Sequence, residues 1–530
     1  MMSATADSPI SSIAGEPSTG WLDRIDAWSV RFGDKLNPIL VKETRQALKS
    51  RQFVITFSVL LFAALAWTIV GSLTMMPQIY TTPSAPRMLI GYYLVLALPM
   101  LLVVPLAAYR SLEGEIDDGT LELLSISTLT PWQIVLGKLA SAMLQMMLYF
   151  VALFPCVAYA YTLRGVDLPT TMLIMAALIV AGILLTIVAL FFAPLTRSRT
   201  GRITTLLATM AILMAAEWGL AFLMIGMILY GNPLTTGQLY FTVTATILLA
   251  AAIGHLLLTA TAAQLTPESE NRSTHIRLSI MGLTAVFLGV GTLAALMLNR
   301  EGIPVVVTLI MILGVLWTAC SSMMAAESPA MTPRIRRELP SSFFARCTLT
   351  WLTPGPATGL AFSVINIVII TFFIAAGLEY LIRTPNAWGQ PYAIFARLVL
   401  TYATYLVGML VAVRWIIAVI RINNNPRVEV GLAALIVVAV ISALVPYSIG
   451  LHLNDYRPYA YSQWQATNWA WTMLMVANGL DLSAMIGLLS VMAAAAFLVT
   501  LLASPQLTMP RRIATPKRVQ EELDAAGTVS

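Results

Sequence analysis

The stretch "TTMLIMAALIVAGILLTIVALFFAPL", residues 170–195, runs for 26 residues without a charged side chain. An α-helix rises about 1.5 Å per residue, so such a run covers the roughly 30 Å hydrocarbon core of a bilayer. In lipid every backbone N–H and C=O must find an internal partner, which leaves helices or closed barrels. Runs of this length suit helices; barrel strands need only about ten residues. Similar runs recur near 53–76, 88–109, 132–160, 203–230, 238–264, 278–299, 304–326, 357–381, 392–420, 430–452 and 479–503. The reading is an all-α, polytopic transmembrane bundle of about 12 spans. Composition agrees: 58% of residues are apolar and 11% charged, with mean hydropathy +0.82. Soluble domains are about 45–50% apolar and about 25% charged.

Basic residues give the expected topology, because Lys and Arg accumulate in cytoplasmic loops. With a cytoplasmic N-terminus, 24 of the 31 Lys and Arg fall inside, and the outside loops hold five: Arg87, Arg164, Arg300, Arg383 and Arg457. Arg397 and Arg414 lie within a span. Both termini are therefore expected in the cytoplasm, in a multi-pass protein of the plasma (inner) membrane. No cleavable signal segment is visible, since the first long apolar run begins near Phe53. The stretch before the last run carries Tyr456, Tyr459, Tyr461, Trp464, Trp469 and Trp471, a composition suited to the headgroup layer.

The net charge of +6 does not point to nucleic acid, because the charges sit in loops between apolar runs. Cys156, Cys320 and Cys347 have no CxxC spacing and read as small apolar residues, not a disulfide framework. There are three histidines, no HExxH and no G-x-x-x-x-G-K-[ST]. We expect no enzyme activity, no nucleotide site in this chain, no cofactor and no metal.

One segment breaks the pattern. "EGEIDDGTLELL", residues 113–124, has five acids among twelve residues and falls on the cytoplasmic side between spans two and three. Charges at a bilayer centre cost about 2.5–3.5 kcal/mol each on insertion scales, so the cluster belongs in water. Asp117–Asp118–Gly119 is a turn signal. Thr120 is placed to cap a short helix with Glu122 in its first turn and Leu121, Leu123 and Leu124 on an apolar side. Pro131 then opens span three. Such a segment either docks on a partner's groove or is a solvated loop.

The longer stretch "YRSLEGEIDDGTLELLSISTLTPWQIVLGKL", Tyr109–Leu139, resembles the cytoplasmic loop and following helix of ABC-2 type transporter permeases. The likeness rests on Glu113, Glu115, Gly119–Leu124, Pro131, Trp132, Gly137 and Lys138. "NPILVKETRQALKSRQF", Asn37–Phe53, similarly resembles the basic amphipathic helix that leads into their first span. Leu22, Ile25, Trp28, Phe32 and Leu36 recur at helical spacing before it, and Lys42, Arg45 and Lys49 share one side, as suits a helix lying in the interface plane.

The resemblance implies a membrane permease subunit without its own nucleotide site. A separate cytoplasmic ATP-hydrolysing chain would rest on the coupling loop formed by Glu113, Glu115, Asp117, Asp118, Gly119, Thr120, Leu121, Glu122, Leu123 and Leu124. The lipid bilayer is the other expected partner, and homo- or heterodimeric assembly stays open. The implied organisation is a disordered tail over 1–20, an interfacial helix over 21–52 and an ABC-2-like six-span half over 53–265 with its coupling loop at 110–131. A second six-span half over 266–503 and a cytoplasmic tail over 504–530 follow. The second half lacks the Gly-Thr-Leu-Glu motif. "TLTPW" at 128–132 and "WLTPG" at 351–355 are a faint echo, so it is either a degenerate repeat or an accessory half.

Two ionisable residues inside spans are candidates for a transport pathway: Glu217 in span five and His255 in span six. For each, a structural role is the alternative. The rival reading of the whole chain is an ion-coupled secondary transporter, which ordinarily carries more intramembrane charge. A non-transporting membrane scaffold is the third.

Overall fold

A computed structural model describes residues 38–504 and 516–527, apart from 78, 80, 120–129, 167, 197, 231–234, 268–269, 299–301, 329–331, 340–341, 384–388 and 422–426. Among the described residues all regular structure is helical. The helices are α1 (Pro38–Lys49), α2 (Arg51–Thr74), α3 (Ala85–Asp117), α4 (Pro131–Thr162), α5 (Leu168–Phe192), α6 (Arg199–Tyr230), α7 (Thr236–Leu265), α8 (Ser273–Leu298) and α9 (Gly302–Ala325). After the short α10 (Pro333–Glu338) and α11 (Phe343–Leu349) come α12 (Pro356–Arg383), α13 (Gly389–Ile420), α14 (Val430–Leu453), α15 (Trp469–Ala477), α16 (Ser483–Leu502) and α17 (Lys517–Gly527). Twelve of these are long and apolar enough to cross a membrane, and they fall on the twelve apolar runs. The chain is a multi-pass, all-helical membrane protein. Its exposed side chains include Phe62, Phe222, Phe372 and Leu502, which suit contact with lipid tails.

The chain divides into two compact units, Met1–Gly231 and Asn232–Ser530. The division falls one span before residue 265, where the six-span half was expected to end. The reason lies in α7, which packs along α8. Buried Thr259 and Ser279 keep the α7–α8 seam narrow, with Ser279 Oγ 3.3 Å from Thr259 Oγ1.

In the first unit α3 is the central helix. It opens at Ala85 with Pro86 in its first turn and passes a π-helical turn at Pro99–Val103, where the Val104 N–H donates to the Pro99 carbonyl. Pro105 has no N–H to give, and the widened turn absorbs that loss. The helix then continues to Asp117, eight residues beyond the apolar run that announced it. Gly91 lets Trp67 of α2 lie flat against α3: a Cβ there would stand 2.0 Å from the indole ring. The Trp67 indole N–H donates to the Met88 carbonyl at 3.2 Å. Thr130 closes a capping box with Gln133, so Pro131 begins α4 where its missing N–H costs nothing.

In the second unit Trp317 stacks on Phe362 and Trp351 packs tilted against it, with ring centroids 5.9 and 5.6 Å apart. Gly359 brings α12 against α9, since a Cβ there would meet the Met324 carbonyl oxygen at 2.4 Å. The aromatic segment before α16 folds on itself: Tyr447, Tyr459 and Tyr461 surround Trp471 at centroid distances of 5.7, 5.2 and 5.7 Å. Trp464 points outward, 90% exposed.

Candidate functional site: the acidic end of α3

α1 is amphipathic by charge. Ile39 and Glu43, four residues apart, share its buried face, while Lys42, Arg45 and Lys49 lie exposed on the other. Pro38 starts this helix; Ser50 ends it and caps α2 by accepting from the Phe53 N–H at 3.1 Å. The lead-in therefore turns at Ser50 before the first span begins.

The buried face of α1 packs on α4, where Lys138 stands two turns from the helix start with its side chain 1% exposed. Its ammonium donates to Glu43 Oε1 at 3.2 Å and to Ser111 Oγ of α3 at 2.7 Å. Glu115 Oε2, also on α3, lies 3.1 Å away as an ion pair. Ser111 Oγ–H donates in turn to Glu43 Oε2 at 2.9 Å, closing a ring of three helices around one cation. Lys42 of α1 reaches the other Glu115 oxygen at 3.2 Å. Two residues further on, Asp117 pairs with Arg202 of α6.

The acidic segment is thus not a loop along its whole length, and its acids are not equivalent. Residues 113–117 are the last turns of α3. Asp118 caps that helix, and Gly119 leaves it in the left-handed region at φ 68°, as the turn signal implied. Glu115 and Asp117 are neutralised by basic residues of the same unit. Glu113 is half-buried, and Asp118 and Gly119 are exposed. Thr120, Leu121, Glu122, Leu123 and Leu124 lie outside the described residues, as do the tail over 1–20 and the lead-in stretch through Leu36. Glu43, Ser111 and the partnering of Lys138 went unread in the sequence. The one available signal was an acid, Glu43, on the apolar side of an otherwise basic helix.

Glu217 is half-buried on α6, within electrostatic reach of the buried Tyr93 hydroxyl on α3. That hydroxyl has no hydrogen-bond partner among the described residues. His255 is exposed on α7, and its carbonyl accepts from Thr259 Oγ1 at 2.7 Å. The two candidates belong to separate compact units.

A second charged knot, unread in the sequence, lies in the Asn232–Ser530 unit. Arg277 of α8 is 1% exposed, donates to the Trp351 and Thr353 carbonyls at 2.8 and 2.6 Å, and pairs with Glu327 beyond α9. The Gly355 N–H donates to Glu327 Oε2 at 3.1 Å, and Arg421 at the end of α13 caps the Ala326 carbonyl at 2.6 Å. Burial pushes the Glu327 carboxyl up from its ordinary value against the pull of Arg277 and the Gly355 N–H. "WLTPG" is the segment that this knot holds ahead of α12; of "TLTPW" the described residues Thr130–Trp132 cap and open α4.

Among the described residues no group of three or more His, Cys, Asp or Glu is placed to hold a metal ion. No protein-family model, curated protein or solved structure matches this chain.

Proposed function

We propose that the chain is the membrane-spanning permease subunit of an ABC transporter, and that the end of α3 with the segment after it rests on a separate ATP-hydrolysing subunit. ATP-driven motion of that subunit would then move helices of the permease and drive transport in the export direction. The observation that carries this reading is the Lys138 ring. It ties the acidic end of α3 to α1 and α4 through charged contacts with little side-chain freedom. A push on Glu113–Gly119 is therefore passed to three helices instead of being taken up by a slack loop. The resemblance of Tyr109–Leu139 and Asn37–Phe53 to ABC-2 permeases supports the identity of the partner.

The arrangement also selects the residues for a test. Glu115 and Asp117 serve internal pairs, so reversing their charge would confuse docking with folding. Asp118 is exposed and Glu122 lies in the same segment. Asp118→Lys with Glu122→Lys should abolish co-purification of the ATPase while yield and thermal stability of the permease hold. Retention of the ATPase by that double variant would end the docking proposal. Gradient-driven uptake by vesicles holding this chain alone would favour an ion-coupled carrier.

A further inference from the structure

A cavity of about 160 Å³ lies between α8, α9 and α12. Its walls include Phe287 and Gly291 of α8, Leu309 and Leu313 of α9, and Phe373 and Gly377 of α12. Among the described residues Thr292 carries the only polar side chain of the lining, and its hydroxyl is committed to the Leu288 and Gly289 carbonyls of its own helix at 3.0 and 2.9 Å. Helix backbone pairs internally, so the described walls offer a ligand no donor or acceptor. A polar or charged ligand would lose its hydration here without replacement. An apolar cavity of about 150 Å³ lined by Leu, Ile and Phe holds a six-carbon ring. This one has the size and lining for the end of a single hydrocarbon chain.

Its position indicates the source of that chain. The lining residues sit toward the end of α8, the start of α9 and the end of α12, the pole opposite the Arg277–Glu327 knot. The same helices present Leu293, Met311 and Phe372 outward, apolar surface suited to lipid. Two glycines shape the space: a Cβ at Gly377 meets nothing within 4 Å, and one at Gly291 meets only Leu309 Cδ1, at 3.5 Å. We propose that the cavity between α8, α9 and α12 binds one acyl chain of a membrane phospholipid from the adjacent leaflet. This rests on the membrane spans alone and is independent of ATPase docking.

The test reconstitutes the full chain in phosphatidylcholine vesicles doped with phosphatidylcholine bearing a diazirine near the end of one acyl chain. After irradiation, labelled peptides are mapped by mass spectrometry. Peptides holding 287–296, 306–313 and 373–378 should be labelled roughly tenfold above the lipid-facing peptides of α2, a ratio equivalent to about 1.4 kcal/mol. Gly377→Leu should cut this labelling roughly tenfold and leave α2 labelling unchanged, while Phe372→Leu on the outward face should have no effect. In detergent micelles, where few other acyl-chain lipids compete, labelling of these peptides should saturate as the probe-to-protein ratio rises, whereas that of α2 grows in proportion. Labelling spread evenly over all outward faces in vesicles, or growing in proportion to the probe at these peptides in micelles, would overturn the proposal. The micelle titration needs only the unaltered protein, so it decides even if Gly377→Leu fails to fold.

Discussion

Lys138 shows how much one buried charge can organise. Its Cα lies about 10 Å along α4 from the helix start, by the helical rise, and its ammonium is held by carboxylates from two other helices. Removing one partner of a buried ion pair typically costs about 3–5 kcal/mol, because the remaining charges are stranded. Lys138→Met should therefore destabilise the first unit by about 3 kcal/mol, the low end because Glu43 and Glu115 keep some solvent contact. Thermal unfolding in detergent measures this. Adding Glu43→Gln and Glu115→Gln to Lys138→Met should recover most of the loss; additive losses would mean that the three groups do not act as one network. Acid and base types were legible here from the sequence, but their partners were not. Lys138 and Glu43 are 95 positions apart, Lys42 and Glu115 are 73, and no local periodicity joins such pairs. Glu217 belongs to this scale too. Glu217→Gln should change the transport rate in vesicles at unchanged expression, and an unchanged rate would leave it a structural role beside Tyr93.

At the scale of elements, hydropathy located the spans but misplaced the end of α3. An apolar-run reading stops near Tyr109, where charge begins. The helix goes on to Asp117 because its charged turns find partners on α1, α4 and α6 that neutralise Glu115 and Asp117. Tertiary pairing overrides the local signal there. The same holds for close helix approach, which depends on glycines that no periodicity marks. Gly91 is one. Gly91→Ala would drive a methyl group into the Trp67 ring, and overpacking of this kind costs about 1–3 kcal/mol. We expect a lower midpoint of thermal unfolding for Gly91→Ala, with most of it regained on adding Trp67→Ala. Equal stability of Gly91→Ala and the unaltered protein would mean that α2 stands further from α3 than described.

The whole molecule poses a question of parity. Asp118 follows the second span, and Trp464 lies between the eleventh and the twelfth, so nine crossings separate them. Nine is odd, so if all nine cross, the two residues lie on opposite sides of the membrane whichever way the protein is inserted. The excess of Lys and Arg in alternate loops would then set the hand, and we expect Asp118 on the cytoplasmic side and Trp464 outside. Both positions are exposed, Trp464 at 90%, so both suit chemical labelling. In a background with Cys156, Cys320 and Cys347 replaced by Ser, Trp464→Cys should react with a membrane-impermeant maleimide added to intact cells. Asp118→Cys should react only after the membrane is opened. Labelling of both positions from one side would mean that one of the nine intervening helices does not cross. Reversed labelling would keep the twelve spans but turn the α3 terminus away from the compartment that holds ATP, and a docked ATPase would then have no place to bind.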